Sequence, residues 1–217
     1  LNNQSINYWY YYDYLAKLIS EHTSISVAGS HGKTTTTGML QTLLNAQSQT
    51  GYLIGDGNGQ LFKESEYFVV ESCEYKDHFH FYHPDYAIIT SIDLDHVDYF
   101  KSEKQYFDSF QTFVNQVKKG LVLFGDDHQI RQLNTASKET IYYGSDQDND
   151  LYVENVEVES SKTHFDLIYK NEKWGRYDVD IIGQHNIHNL LSTIGIAILL
   201  GFDKETIVAH INDFKGV

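Results

Sequence analysis

The stretch Ser24-Ile25-Ser26-Val27-Ala28-Gly29-Ser30-His31-Gly32-Lys33-Thr34-Thr35 passes from a β-branched run through a glycine-bracketed turn into Lys-Thr. That order is the layout of a phosphate-binding loop. Backbone N–H groups of the turn and of the following helix start point at an anion, and the lysine adds positive charge on a flexible stem. The Thr34 hydroxyl is placed to ligate the Mg²⁺ that travels with ATP. The motif is Gly29-x-x-Gly32-Lys33-Thr34, shorter than the full GxxxxGK[ST] form because Val27 stands five residues before Gly32. Met39, Leu40, Leu43 and Leu44 follow at helical spacing, which separates the motif from a chance lysine in an ordinary β-turn-α connection.

Working outward, apolar runs alternate with helical patterns. A helix is expected over 9–21, a strand over 24–28 and the loop helix over 33–46. Strands are expected at 52–54, 67–70 and 86–91, followed by a helix over 102–117 that Gly120 stops. Segments 121–124, 127–133 and 140–143 read as strand, helix and strand, which implies a parallel sheet with right-handed crossovers. After Gly144 comes an acidic polar loop, then period-two alternation over 151–159, 164–169 and 174–182. This predicts a small antiparallel three-stranded sheet within a subdomain at 145–182. Helices over 186–200 and 204–214 close the chain. The expected fold class is α/β: a mostly parallel sheet with flanking helices, plus the small antiparallel sheet. The Gly29–Thr34 loop, Glu71 and the segment 93–98 then all fall at strand ends, where open α/β sheets bind ligands.

Composition narrows the function. A net charge of −14 over 217 residues opposes nucleic-acid wrapping or docking on an anionic membrane. The cluster Tyr8-Trp9-Tyr10-Tyr11-Tyr12-Tyr14 has no interleaved Arg or Lys, so it reads as a packed helix face or interdomain contact rather than a base-stacking platform. Cys73 is the sole cysteine, which excludes an internal disulfide framework and suits a reducing cytoplasm. No apolar run approaches the ~20 residues of a membrane span, and the first residues do not read as a signal peptide. The chain does not start with Met, a hint that it is a piece of something longer.

Three further segments accompany the loop: Tyr67-Phe68-Val69-Val70-Glu71-Ser72-Cys73-Glu74-Tyr75, the run Pro84 to Tyr99 containing Asp93-Leu94-Asp95-His96-Val97-Asp98-Tyr99, and Gly183-Gln184-His185-Asn186-Ile187-His188-Asn189. Together, and in this order, they resemble the central ATPase domain of the Mur ligases. The stretch Leu53-Ile54-Gly55-Asp56-Gly57-Asn58-Gly59 and the segment Ser72 to Tyr75 are similar to the branch that joins L-alanine to UDP-N-acetylmuramate. The resemblance implies an ATP- and Mg²⁺-dependent ligase in which the sugar carboxylate attacks the γ-phosphate and the alanine amine opens the resulting acyl phosphate. It also implies that 1–22 links from a missing sugar-nucleotide domain and that 213–217 starts the linker to a missing amino-acid domain. UDP-N-acetylmuramate and L-alanine would then bind mainly outside this chain.

Site residues follow from both readings. Gly29, Ser30, His31, Gly32, Lys33, Thr34 and Thr35 are expected around the phosphates. Thr34, Glu71 and His96 form a plausible ligand set for Mg²⁺, with Lys33, Glu71 and His96 in the catalytic roles. Read from its neighbours alone, His96 is either a ligand or a histidine hydrogen-bonded to Asp93 or Asp95; the resemblance selects the ligand. Glu74 is either a further site carboxylate or a solvated loop residue. His185, Asn186 and Asn189 read locally as a helix N-cap, and the family's Gly-x-His-Asn-x-x-Asn segment implies that Asn189 and His185 contact adenine. Cys73, beside two carboxylates, reads as structural, and the run Asp77 to His83 lacks a second cluster for zinc. Rival readings are a sister ligase, such as a muramoyl-tripeptide recycling or folylpolyglutamate synthetase-like enzyme, a non-catalytic ATP-sensing module, and a small-molecule kinase. A kinase would more usually carry a full loop motif and an Arg-rich lid, whereas Arg131 and Arg176 are the only arginines.

Overall fold

The computed structural model describes residues 10–211 and 213, apart from 56 and 137. Tyr8, Trp9 and most of the expected 213–217 linker therefore lie outside the described residues. The chain runs α1 (Tyr11–Ser20), β1 (Thr23–Ala28), α2 (Lys33–Asn45), β2 (Thr50–Leu53), β3 (Gly59–Gln60) and β4 (Tyr67–Glu71). A 3-10 segment, Tyr75–Phe81, leads to β5 (Tyr86–Ile89), α3 (Glu103–Gln116), β6 (Gly120–Phe124), α4 (His128–Arg131) and β7 (Glu139–Gly144). Strands β8 (Leu151–Glu159), β9 (Lys162–Tyr169) and β10 (Glu172–Val179) precede α5 (Gln184–Leu199) and α6 (Lys204–Ile211).

All ten strands belong to one sheet, in the order β10-β9-β8-β7-β6-β5-β1-β4-β2-β3. From β2 to β8 every pairing is parallel, while β3 and the β8-β9-β10 edge are antiparallel. Parallel strands are covered on both faces, and the side chains divide accordingly. Along β4, Tyr67 and Val69 join α2, α5 and α6 in one layer, and Phe68 and Val70 join α1, α3 and α4 in the other. Two helix starts follow side-chain caps. Ser102 accepts from Gln105 N–H ahead of α3, and Asp127 accepts from the N–H groups of Gln129 and Ile130 ahead of α4.

The three antiparallel strands form where alternation placed them, but they extend the main sheet rather than make a sheet of their own. Tyr143 and Gly144 of β7 pair in parallel with Leu151 and Tyr152 of β8. The connecting loop is folded back by Asp126, which accepts from the N–H groups of Ser145 (2.7 Å) and Asp146 (3.2 Å) and from Asn149 Nδ2 (2.7 Å). Only the start of β8 pairs with β7, so the rest of the strand runs on past the C-terminal ends of the parallel strands. Its Val153, Val156 and Val158 line a hollow together with Gly183, Gln184 and Ile187.

Candidate active site

Three loops leave the C-terminal ends of β1, β4 and β5 and converge there. The β1–α2 turn needs its glycines. Gly29 and Gly32 have φ of 131° and 77°, and a Cβ on Gly32 would stand 2.7 Å from Asn189 Oδ1. That contact also shows how α5 brings Asn189 against the loop. The α2 ladder starts with Thr36 N–H donating to Gly32 O at 3.0 Å, which leaves the N–H groups of Lys33, Thr34 and Thr35 at the positive helix end.

Ser30 and His31 are used differently from the neighbours they were grouped with. Their N–H groups donate to Ser91 O and Ser91 Oγ, each at 3.1 Å. The buried Ser30 hydroxyl donates to Asp93 O at 2.7 Å and lies 2.9 Å from the Tyr106 hydroxyl. Ser30 thus latches the turn to the loop after β5. The His31 side chain is exposed, with Nε2 3.9 Å from Asp93.

Lys33 reaches back over the turn, donating to Gly29 O at 2.5 Å and Glu74 Oε2 at 3.2 Å. Glu74 is not a solvated loop residue: it is 0% exposed. Its Oε1 lies 3.5 Å from His96 Nε2 and accepts from the Tyr106 hydroxyl at 3.4 Å. Burial pushes the Tyr106 phenol well above its usual range, so it stays a donor. His96 faces Glu74 with its imidazole, while its backbone N–H donates to Asp95 Oδ1 at 2.6 Å. Glu71 takes other partners. Its Oε2 accepts from the Thr34 hydroxyl at 3.0 Å and from Gly55 N–H at 2.9 Å, which ties the segment 53–59 to the site. The sequence grouped Thr34, Glu71 and His96; the structure keeps Thr34 with Glu71 and sets His96 against Glu74 instead.

At the head of α5, Asn189 Nδ2 lies 3.5 Å from Asn186 Oδ1, and Asn186 Nδ2 donates to Ile182 O at 2.9 Å. A cavity of about 520 Å³ lies against this helix start, lined in part by Gly32, Thr35, Phe124, Tyr143, His185 and Asn189. A second hollow of about 310 Å³, lined by residues 30–35 and Glu71, meets it across Gly32. His188 joins the wall of the first. Its Nε2 is 2.8 Å from Ser145 Oγ, its ring is 4.8 Å from that of Phe124, and burial lowers its pKa. Phe124 and Tyr143 carry no local motif, and only their position under the helix start marks them; His188 falls within the Gly183–Asn189 segment but is not singled out by it.

Away from this edge, two histidines of 77–83, His78 and His80, make packing and hydrogen-bond contacts. His78 stacks on Tyr12 at 3.9 Å, and His80 Nε2 lies 2.8 Å from Ser109 O. Cys73 is exposed, and desolvation, with Glu74 and Glu71 adding to it, pushes its thiol up, away from the reactive thiolate. Among the described residues no helix is long and apolar enough to cross a membrane.

The sequence pattern of the Mur ligase middle domain matches residues 27–197. The chain belongs to this family. Among solved structures, the Mur ligase domain superposes on UDP-N-acetylmuramate:L-alanyl-gamma-D-glutamyl-meso-diaminopimelate ligase from Neisseria meningitides with a TM-score of 0.83 at 25% identity, covering 95% of this chain and 70% of that one. UDP-N-acetylmuramate-alanine ligase MurC from Thermotoga maritima gives 0.80 at 22% identity, covering 94% of this chain and 48% of that one. MurF ligase from the same organism, in complex with ADP, gives 0.81 at 19% identity over 100% and 56%. At these identities the last two show the fold alone. Both are about twice as long as the span this chain covers.

The donor chemistry of this Mur ligase domain fits a divalent cation. Thr34 and Glu71 present oxygen donors 3.0 Å apart beside the loop. Glu74, Asp95 and His96 bring one ligand atom each to within 4.8 Å of one another. The hard oxygen donors suit Mg²⁺ or Mn²⁺, for which the single imidazole is the less usual partner.

Proposed function

We propose that this chain is the ATP-binding central domain of a UDP-N-acetylmuramate–L-alanine ligase. The observation that carries the nucleotide-hydrolysing part of this reading is Glu74. A wholly buried carboxylate between Lys33 and His96, beside the Thr34–Glu71 pair, assembles cation and phosphate chemistry in one place. A module that only senses ATP has no need of that arrangement. The similarity of Gly55–Gly59 and Ser72–Tyr75 to the alanine-adding branch supports the substrate choice.

In this reading the hollow at residues 30–35 takes the triphosphate, and the larger cavity takes the adenosine, with Asn189 and His185 on the base. Lys33 moves from Glu74 to the phosphates and offsets their charge. Two unit charges ~4 Å apart repel by about 4 kcal/mol at an effective dielectric of 20, so a carboxylate nucleophile needs that offset. Thr34 and Glu71 hold Mg²⁺, and Glu74 and His96 offer a second set of donors. Mg²⁺ when bound supplies further positive charge at the phosphates. The sugar carboxylate attacks the γ-phosphorus with ADP leaving, and the alanine amine then attacks the acyl carbon with phosphate leaving.

A second reading, the tripeptide-recycling ligase, is favoured by the 25% identity and 0.83 TM-score to the Neisseria enzyme. The test is phosphate release by the full-length parent with UDP-N-acetylmuramate and ATP. Dependence on L-alanine supports the first reading. Dependence on the tripeptide L-alanyl-gamma-D-glutamyl-meso-diaminopimelate supports the second, and amino-acid-independent release refutes both.

A further inference from the structure

The loops after β4 and β5 are stitched together by two reciprocal tyrosine–aspartate bonds. Tyr75, adjoining Glu74, donates its phenol to Asp98 Oδ2 at 2.7 Å. Tyr99, adjoining Asp98, donates to Asp77 Oδ2 at 2.5 Å. The Tyr75 ring also lies against the His96 imidazole, with centroids 4.7 Å apart and planes inclined by 39°. His96 itself has φ of 52°, and its carbonyl accepts from the N–H groups of Tyr99 (2.8 Å) and Phe100 (3.0 Å). A non-glycine residue in the left-handed region persists only where its surroundings hold it there.

These contacts share one consequence. The imidazole of His96 can rotate about two side-chain bonds, and the Tyr75 ring occupies one of the volumes into which it would turn. We propose that Tyr75 is a positioning residue for the cation centre: its phenol anchors Asp98, its ring backs His96, and together they hold His96 Nε2 toward Glu74. The inference rests on the cation-dependent ligase reading above. Its bond to Asp98 is charge-assisted. In it a phenol O–H donates to a carboxylate oxygen at 2.7 Å. Partners that orient a ligating histidine typically change metal affinity by about 10–100-fold when removed.

The experiment is a Mn²⁺ titration of the full-length parent protein with ADP present, following the paramagnetic resonance signal of free Mn²⁺. Tyr75→Leu should weaken Mn²⁺ binding on the order of tenfold, with ADP affinity in the absence of divalent cation unchanged. Tyr75→Phe keeps the ring and should fall between Tyr75→Leu and the parent. Asp98→Asn should cost less when added to Tyr75→Phe than when made alone, because the shared bond is already lost. Should Tyr75→Leu unfold, Tyr75→Phe with and without Asp98→Asn carries the test, because it conserves the packing volume. His96→Ala is the reference. If His96→Ala weakens Mn²⁺ binding while the Tyr75 variants leave it intact, the positioning role is overturned and the cation centre stands. If His96→Ala also leaves it intact, the cation centre fails and the inference with it.

Discussion

Replacing Lys33 by alanine tests the charge balance of the site without reference to catalysis. Glu74 is 0% exposed and Lys33 has 15% of its side chain exposed, with 3.2 Å between Nζ and Oε2. Removing one partner of a buried ion pair strands the other charge, at a cost of about 3–5 kcal/mol. The low end applies here, since His96 Nε2 and the Tyr106 hydroxyl remain 3.5 Å and 3.4 Å from the carboxylate. For a chain of this size about 3 kcal/mol lowers the melting temperature by roughly 6–12 °C. Adding Glu74→Gln removes the stranded charge and should recover about 2 kcal/mol of that loss, since the amide is close in shape and neutral. Thermal and urea unfolding of the 217-residue chain, followed by circular dichroism at neutral pH, measures both variants. Both should also lose the stabilisation that Mg-ATP confers. A Lys33→Ala protein within about 0.5 kcal/mol of the parent, with no recovery from Glu74→Gln, refutes the reasoning.

Glu71→Ala and His96→Ala, made in the full-length parent, should depress turnover far more than melting temperature; near-normal rates across a Mg²⁺ titration would remove them from the cation site. Asn189→Ala should raise the ATP concentration needed for half-maximal rate and narrow the preference for ATP over GTP, and an unchanged ATP/GTP ratio places the base elsewhere. Burial lowers the His188 pKa from 6.5, so the unfolded chain takes up this proton first as pH falls. The His188 contribution is complete above the unfolded value and is lost as pH drops from there through the lower folded value. His188→Gln should therefore flatten the pH dependence of stability in that window, and an unaltered slope in denaturant titrations counts against a buried neutral His188.

Much of this molecule is visible in the linear order of residues, and the part that is not has a common cause. Gly29-x-x-Gly32-Lys33-Thr34 after a β-branched run specifies a strand, a left-handed turn and a helix start, because φ preferences and side-chain period act between near neighbours. The helix expected over 102–117 forms as Glu103–Gln116 with Ser102 capping it, for the same reason. Alternation after Gly144 likewise marked three antiparallel strands. It held no sign that they join the main sheet, since that junction rests on the short register of Tyr143 and Gly144 with Leu151 and Tyr152. Burial was the larger gap. The sequence leaves Glu74 open between a site carboxylate and a solvated loop residue, because what covers it comes from far along the chain: Lys33 is 41 residues away and Tyr106 is 32. The division of labour between Glu71 and Glu74, and the clasp of Tyr75 on Asp98 across 23 residues, were equally beyond local pattern. Residue type and spacing determined which chemistry this chain carries, whereas the packing of α3 and the β5 loop against the segment that follows β4 decided which carboxylate meets which partner.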